Sequence, residues 1–150
     1  MLYSVEKLIS EARTLAADYR NATGKTLALS SEIALHDAIT LLELDPAEQE
    51  DGFDAVDQDG GKILIKGRVL FGEQRSSPRV GQFKLTQPWD AVVLVLMDDS
   101  YHPFEIYRVE RDVVESLQDE TDKSSRSSRG QLSVARFKII GDLVWERDEE

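Results

Sequence analysis

Residues 53–68 read FDAVDQDGGKILIKGR, and this stretch decides how the chain folds. Asp59-Gly60 separates two runs with strand character, and such a dipeptide suits the left-handed backbone of a tight hairpin turn. The pattern predicts adjacent antiparallel strands over Phe53–Asp57 and Lys62–Arg68. Side chains alternate faces along a strand. In the second strand Lys62, Leu64, Lys66 and Arg68 therefore share one face, and Ile63 and Ile65 the other. In the first strand Asp54 and Val56 share a face, opposite Phe53, Ala55 and Asp57. If the two isoleucines enter a core, Lys66 and an aspartate can meet on the far side of the sheet.

Working outward, Leu2–Tyr19 carries apolar residues at three- and four-residue spacing, which predicts an amphipathic helix stopped by Asn21 and Gly24. Ser30 suits the N-cap of a second helix running to about Leu44, with Leu35, Ala38, Ile39 and Leu42 as its stripe and Pro46 beyond its end. Trp89–Met97 (WDAVVLVLM) lacks alternation and is rich in β-branched residues, which predicts a central strand covered on both faces. Asp98-Asp99-Ser100 reads as a turn, and His102–Val109 as the next antiparallel strand. A short helix is expected over 110–117 and another over 135–140, capped by Ser133 and ended by Gly141. Residues 119–130 (DETDKSSRSSRG) are poor in apolar side chains, which predicts a flexible loop. Leu143-Val144-Trp145 reads as an apolar plug. The sum is one domain over 1–150, of α/β (α+β) class: a single mixed sheet of about four to five strands with flanking helices.

Composition narrows the chemistry. The chain has 150 residues and no cysteine, so thiolate sites and disulfides are excluded. No continuous apolar run is long enough to span a membrane, and no signal-peptide pattern is present, so the expected compartment is the cytoplasm. A net charge of −11 opposes binding to polyanions. The charge is uneven, however. Residues 61–88 hold six bases against one acid, and residues 123–142 hold five against one. These two segments are the only net-positive ones, and the first contains Lys66.

Glu32 on a helix, Asp54 in a strand and Lys66 after a hairpin together resemble the PD-(D/E)XK, restriction-endonuclease-like nuclease superfamily. The string GFDAVD…IKGR is similar to small bacterial members, and the likeness covers about Ser30 to Tyr107. It implies metal-dependent hydrolysis of DNA. Asp54, with Glu32 as an additional ligand, would hold Mg²⁺ or Mn²⁺, and Asp57 is the rival ligand if a bulge or register slip exchanges the two aspartates. Lys66 would stabilise charge on the attacked phosphate. Arg68, Arg75, Arg79 and Lys84 would border the DNA groove. The pattern departs from the family at Leu64, which stands where a second acidic ligand belongs.

Leu64 opens a second expectation: a catalytically inactive member that serves as a binding or assembly module. A protein partner is then expected, with a homodimer through the first helix as one arrangement. No phosphate-cradling glycine loop or nucleophilic triad is present.

Overall fold

The computed structural model describes residues 4–24, 29–47, 52–70, 79–81, 85–123 and 132–148, with the backbone alone at 79, 81, 118–123 and 132. Among these are four helices, an open six-stranded mixed sheet and a separate two-stranded ribbon.

Helix α1 (Val5–Thr23) starts where the Ser4 hydroxyl accepts from the Lys7 amide. It ends at Gly24, whose φ of 73° is left-handed backbone that glycine adopts without a Cβ clash. Helix α2 (Ser30–Leu41) is shorter than its stripe suggests, and Ser30 is its first helical residue rather than its cap. The helix stops before Pro46 because Glu43 turns to a φ of 55°.

The main sheet runs β1 (Asp45–Pro46), β2 (Ala55–Val56), β3 (Lys62–Val69), β5 (Ala91–Met97), β6 (Pro103–Glu110) and β8 (Asp142–Glu146). The β2–β3 hairpin forms at the expected turn, but its first strand is Ala55–Val56 rather than 53–57: Asp57 N–H donates to the Gly61 carbonyl at 2.9 Å, and Gly60 takes a φ of 84°. Strand β3 pairs parallel with β5, Ile63 opposite Ala91 through Val69 opposite Met97, while the other main-sheet neighbours are antiparallel. Every residue of β5 is buried, which matches its unbroken apolar run. The six strands exceed the expected four to five through the two-residue β1 at one edge and β8 at the other. The 143–145 plug is thus a strand, laid along β6. Helix α3 (Arg111–Lys123) continues past Leu117 into the acidic run, so 119–123 are helical, and the rest of the expected loop lies outside the described residues.

The sheet divides the core in two. On one face Ile63, Ile65, Val93 and Val95 pack beneath α1 and α2, against Ala16, Ile33, Ala34 and Ala38. On the other, Leu64, Val92, Leu94 and Tyr107 pack beneath α3 and α4 (Val134–Ile140), with Val114, Phe137 and Val80 above them. Val80 belongs to β4 (Arg79–Gly81), which pairs antiparallel with β7 (Leu132–Ser133) on that second side. A buried ion pair fastens the first layer. Arg13 grips both carboxylate oxygens of Asp37, at 2.9 and 2.6 Å, and also donates to the Tyr101 carbonyl in the β5–β6 turn.

Candidate nucleic-acid interface

The alternation of β3 decides where its lysines point. Ile63, Ile65 and Val69 belong to the α1–α2 side, so Lys66 lies on the other face between Leu64 and Arg68, opposite Leu94 of β5. It is half-buried there.

Asp54 takes a different direction. Phe53 packs with Leu64 on the Lys66 side, and the Lys62 ammonium lies 5.6 Å from its ring. Ala55 is buried with Ile63 on the opposite side. Phe53 and Asp54 lie in a bend before β2 (Ala55–Val56), so the alternation of the strand does not extend to them. The Asp54 amide donates to the Ile63 carbonyl at 2.8 Å. Its carboxylate Oδ2 accepts from the Ile65 amide at 2.7 Å. The side chain thus caps the edge of β3 where β2 ends, filling the acceptor position that another strand residue would occupy.

Glu32 is exposed, while its neighbours Ile33, Ala34, Asp37 and Ala38 are buried. Ser30 and Ala34 form the edge of α2 that meets Gly67 of β3. Glu32 is roughly 200° around the helix from Ser30 and so faces away from the sheet. Asp57 lies in the hairpin turn. It accepts from the amides of Asp59 and Gly61 at 3.0 and 2.7 Å and from Arg108 at 3.1 Å. Arg108 stands opposite Val93, which places this cluster on the α1–α2 side, away from Lys66. Partial burial alone would raise the Asp57 carboxyl. The hydrogen bonds from Gly61, Arg108 and Asp59 outweigh it and hold the group below the usual carboxylate range.

The sequence-predicted residues therefore reach the sheet from separate directions. Asp54 and Lys66 engage adjoining positions of β3, one along its edge and one on its face. Glu32 and Asp57 join neither. Leu64 supplies no oxygen. Among the described residues, no three His, Asp or Glu side chains come together as a candidate cation site.

The basic residues fare differently. Arg68 donates to the carbonyls of Gly67 and Val80, tying β4 down beside β3, and burial draws its pKa below the ordinary arginine value. Arg75 and Lys84 lie outside the described residues. Arg79 opens β4, where it stands opposite Ser133 of β7. That pairing matters because β4 belongs to the first net-positive segment and β7 to the second. Segments separated by an acidic stretch in sequence are joined on the Lys66 side of the sheet. From β7 the chain enters α4, capped by the Ser133 hydroxyl accepting from the Arg136 amide at 3.1 Å. Arg136 is exposed on α4. Lys138 pairs with Glu105 at 3.2 Å and lies 5.7 Å from the Tyr107 ring, which seats the helix on β6.

One organising residue went unread in the sequence. Arg111 donates to the carbonyls of Leu85, Gln87 (2.7 Å) and Trp89 (2.8 Å), and its guanidinium lies 4.7 Å from the Trp89 ring. It holds the end of the first basic segment against the start of β5. Its only sequence signal is an arginine at a strand–helix junction, which does not name three carbonyls more than twenty residues earlier.

No family model matches the chain, and no curated protein sequence matches it.

Proposed function

We propose that the protein binds DNA through the side of the sheet that carries Lys66, on a restriction-endonuclease-like scaffold, without hydrolysing it. The observation that carries this reading is the β4–β7 pairing, which joins a described strand of one net-positive segment to a described strand of the other on that side. Phosphate contacts supply most of the affinity of such surfaces, and they need clustered Lys and Arg. Helix α3 on the same side holds five acids against two bases, so contact is confined to the part formed by β4, β7 and α4.

Two features support the scaffold. The sheet is mixed and covered by helices on both faces, and the hairpin beside its parallel pair carries Asp54 and Lys66. What favours binding over cleavage is Leu64, which stands where the resembled family carries a second acidic ligand.

The test is fluorescence anisotropy with a labelled duplex, titrated between about 50 and about 200 mM salt; six or more phosphate contacts would cost about a thousandfold in affinity over that range. Binding with that salt dependence, and an intact duplex after incubation with Mn²⁺, is the expected result. Cleavage lost in Lys66→Ala would restore the nuclease reading. Absence of binding at the lower salt would remove both.

A further inference from the structure

Helix α1 is held to the fold by polar contacts more than by apolar burial. Of its 19 residues Ala16 alone is buried, with Ala17 packed beside it on the core, while Val5, Leu8 and Leu15 stay exposed. Alanine methyls remove little apolar surface from water, so they hold a helix weakly. Arg13 adds the stronger contacts. It donates to both carboxylate oxygens of Asp37 on α2 and to the Tyr101 carbonyl in the β5–β6 turn. What α1 closes over is costly to keep closed. Asp37 is 4% exposed, so its charge is tolerated there only while Arg13 pairs with it. Tyr101 is buried in the same cluster as Ala16. Burial pushes its phenol above the ordinary value, and the charge of Arg20 on α1 opposes the shift, which places the ring beneath the helix. The Tyr101 hydroxyl is buried without a hydrogen-bond partner among the described residues. A buried donor left unpaired costs free energy that contact with water would restore. The Tyr101 backbone also sits at a φ of 66°, left-handed for a residue with a bulky side chain.

We propose that α1 is a strap latched by Arg13: it lifts from α2 and the β5–β6 turn as one unit while the sheet and the opposite layer stay folded. Lifting hydrates the Arg13 and Asp37 charges and gives the Tyr101 hydroxyl a water partner, so the polar groups beneath α1 lower the cost of opening. Little apolar surface is exposed against that gain. The opposite layer is built differently: Val134 and Phe137 of α4 are both buried, and Val114 of α3 with them, so those helices open only with the sheet. Once lifted, a lone helix of the length of α1 is marginal in water, and its amides become open to exchange.

Native-state hydrogen exchange at increasing low urea tests the strap. The amides of α1 should exchange at least about tenfold faster than those of β5, with a weaker urea dependence, because the opening is smaller than global unfolding. Asp37→Ala should speed exchange in α1 by at least about a hundredfold, the loss of a buried pair. Tyr101→Phe removes the unpaired hydroxyl from the closed form and should slow exchange in α1 by about tenfold. Phe137→Leu weakens the layer that stays folded, so it should speed exchange in β5 and leave α1 unchanged. Exchange of α1 and β5 at one rate with one urea dependence would overturn the proposal. So would α1 exchange that Asp37→Ala does not speed, that Tyr101→Phe leaves unchanged or speeds, or that Phe137→Leu speeds.

Discussion

Gly67 is the point where α2 rests on the sheet, and replacing it by alanine tests that seating directly. A Cβ built there falls deep inside the Ala34 methyl, 3.2 Å from the Ser30 carbonyl oxygen and 3.3 Å from Met97 Cε. Carbon atoms in contact settle about 3.5–4.0 Å apart, so α2 must retreat by more than about 1 Å or β3 must bend. A radial gap of that size forfeits a quarter to a half of the dispersion attraction between the layers. The cost of Gly67→Ala should fall at the upper end of the overpacking range, about 3 kcal/mol. For a chain of this size that lowers the midpoint of thermal unfolding by roughly 6–12 °C. Removing the opposing methyl should relieve most of the clash. Ala34→Gly alone costs about 1 kcal/mol through helix propensity. The double variant should be more stable than the sum of the singles predicts, by about 1–2 kcal/mol. Urea unfolding of the four proteins measures this coupling. Additivity within about 0.5 kcal/mol would refute the contact and with it the packing of α2 over the residue after Lys66.

Other expectations follow from the same geometry. Asp37→Ala strands the Arg13 guanidinium in a site where Asp37 is 4% exposed, and should cost about 3–5 kcal/mol in urea unfolding, with Arg13→Met/Asp37→Leu milder than either single loss. The Asp57 carboxyl is held below its ordinary range, so its stabilising effect is present above the unfolded value near 3.9 and is lost as pH falls through the folded value. Asp57→Asn should therefore cost about 1–2 kcal/mol at neutral pH and show a shallower loss of stability in acid, read from urea midpoints at about pH 7 and about pH 3. Arg111→Ala should free the Leu85–Trp89 segment, seen as a red shift of Trp89 emission in a Trp145→Phe background, with a loss of about 2 kcal/mol.

Much of the architecture is written locally. The Asp59-Gly60 turn, the unbroken run of β5 and the Ser133 cap depend on neighbours in sequence, and each forms where its residues suggest. What was illegible depends on distant partners. Strand β8 looked like a plug because Leu143 and Val144 stay exposed at the sheet edge, so its five residues lack alternation; pairing with β6 makes it a strand. The parallel register of β3 and β5 is set across a long connection, and no residue announces it. Helix α3 runs into an acidic stretch whose composition suggested disorder. At the candidate site, the face of Lys66 could be read from the alternation of Ile63 and Ile65. The direction of Asp54 could not, because the strand begins only at Ala55 and the bend before it turns the Asp54 carboxylate onto the edge of β3. Glu32 fitted the family spacing, but the stripe of α2 is buried on the other side of the helix.

The assignment of the Lys66 side as the DNA surface is tested most directly by single-charge removals that differ in where they fall. Duplex affinity would be measured at fixed low salt for Lys66→Gln, Arg136→Gln and Lys7→Gln, the last altering α1 on the opposite layer. The expected result is a loss of about tenfold for each of the first two, the scale of one phosphate contact, and no change for Lys7→Gln. Equal losses at all three positions, or a loss at Lys7 alone, would contradict it.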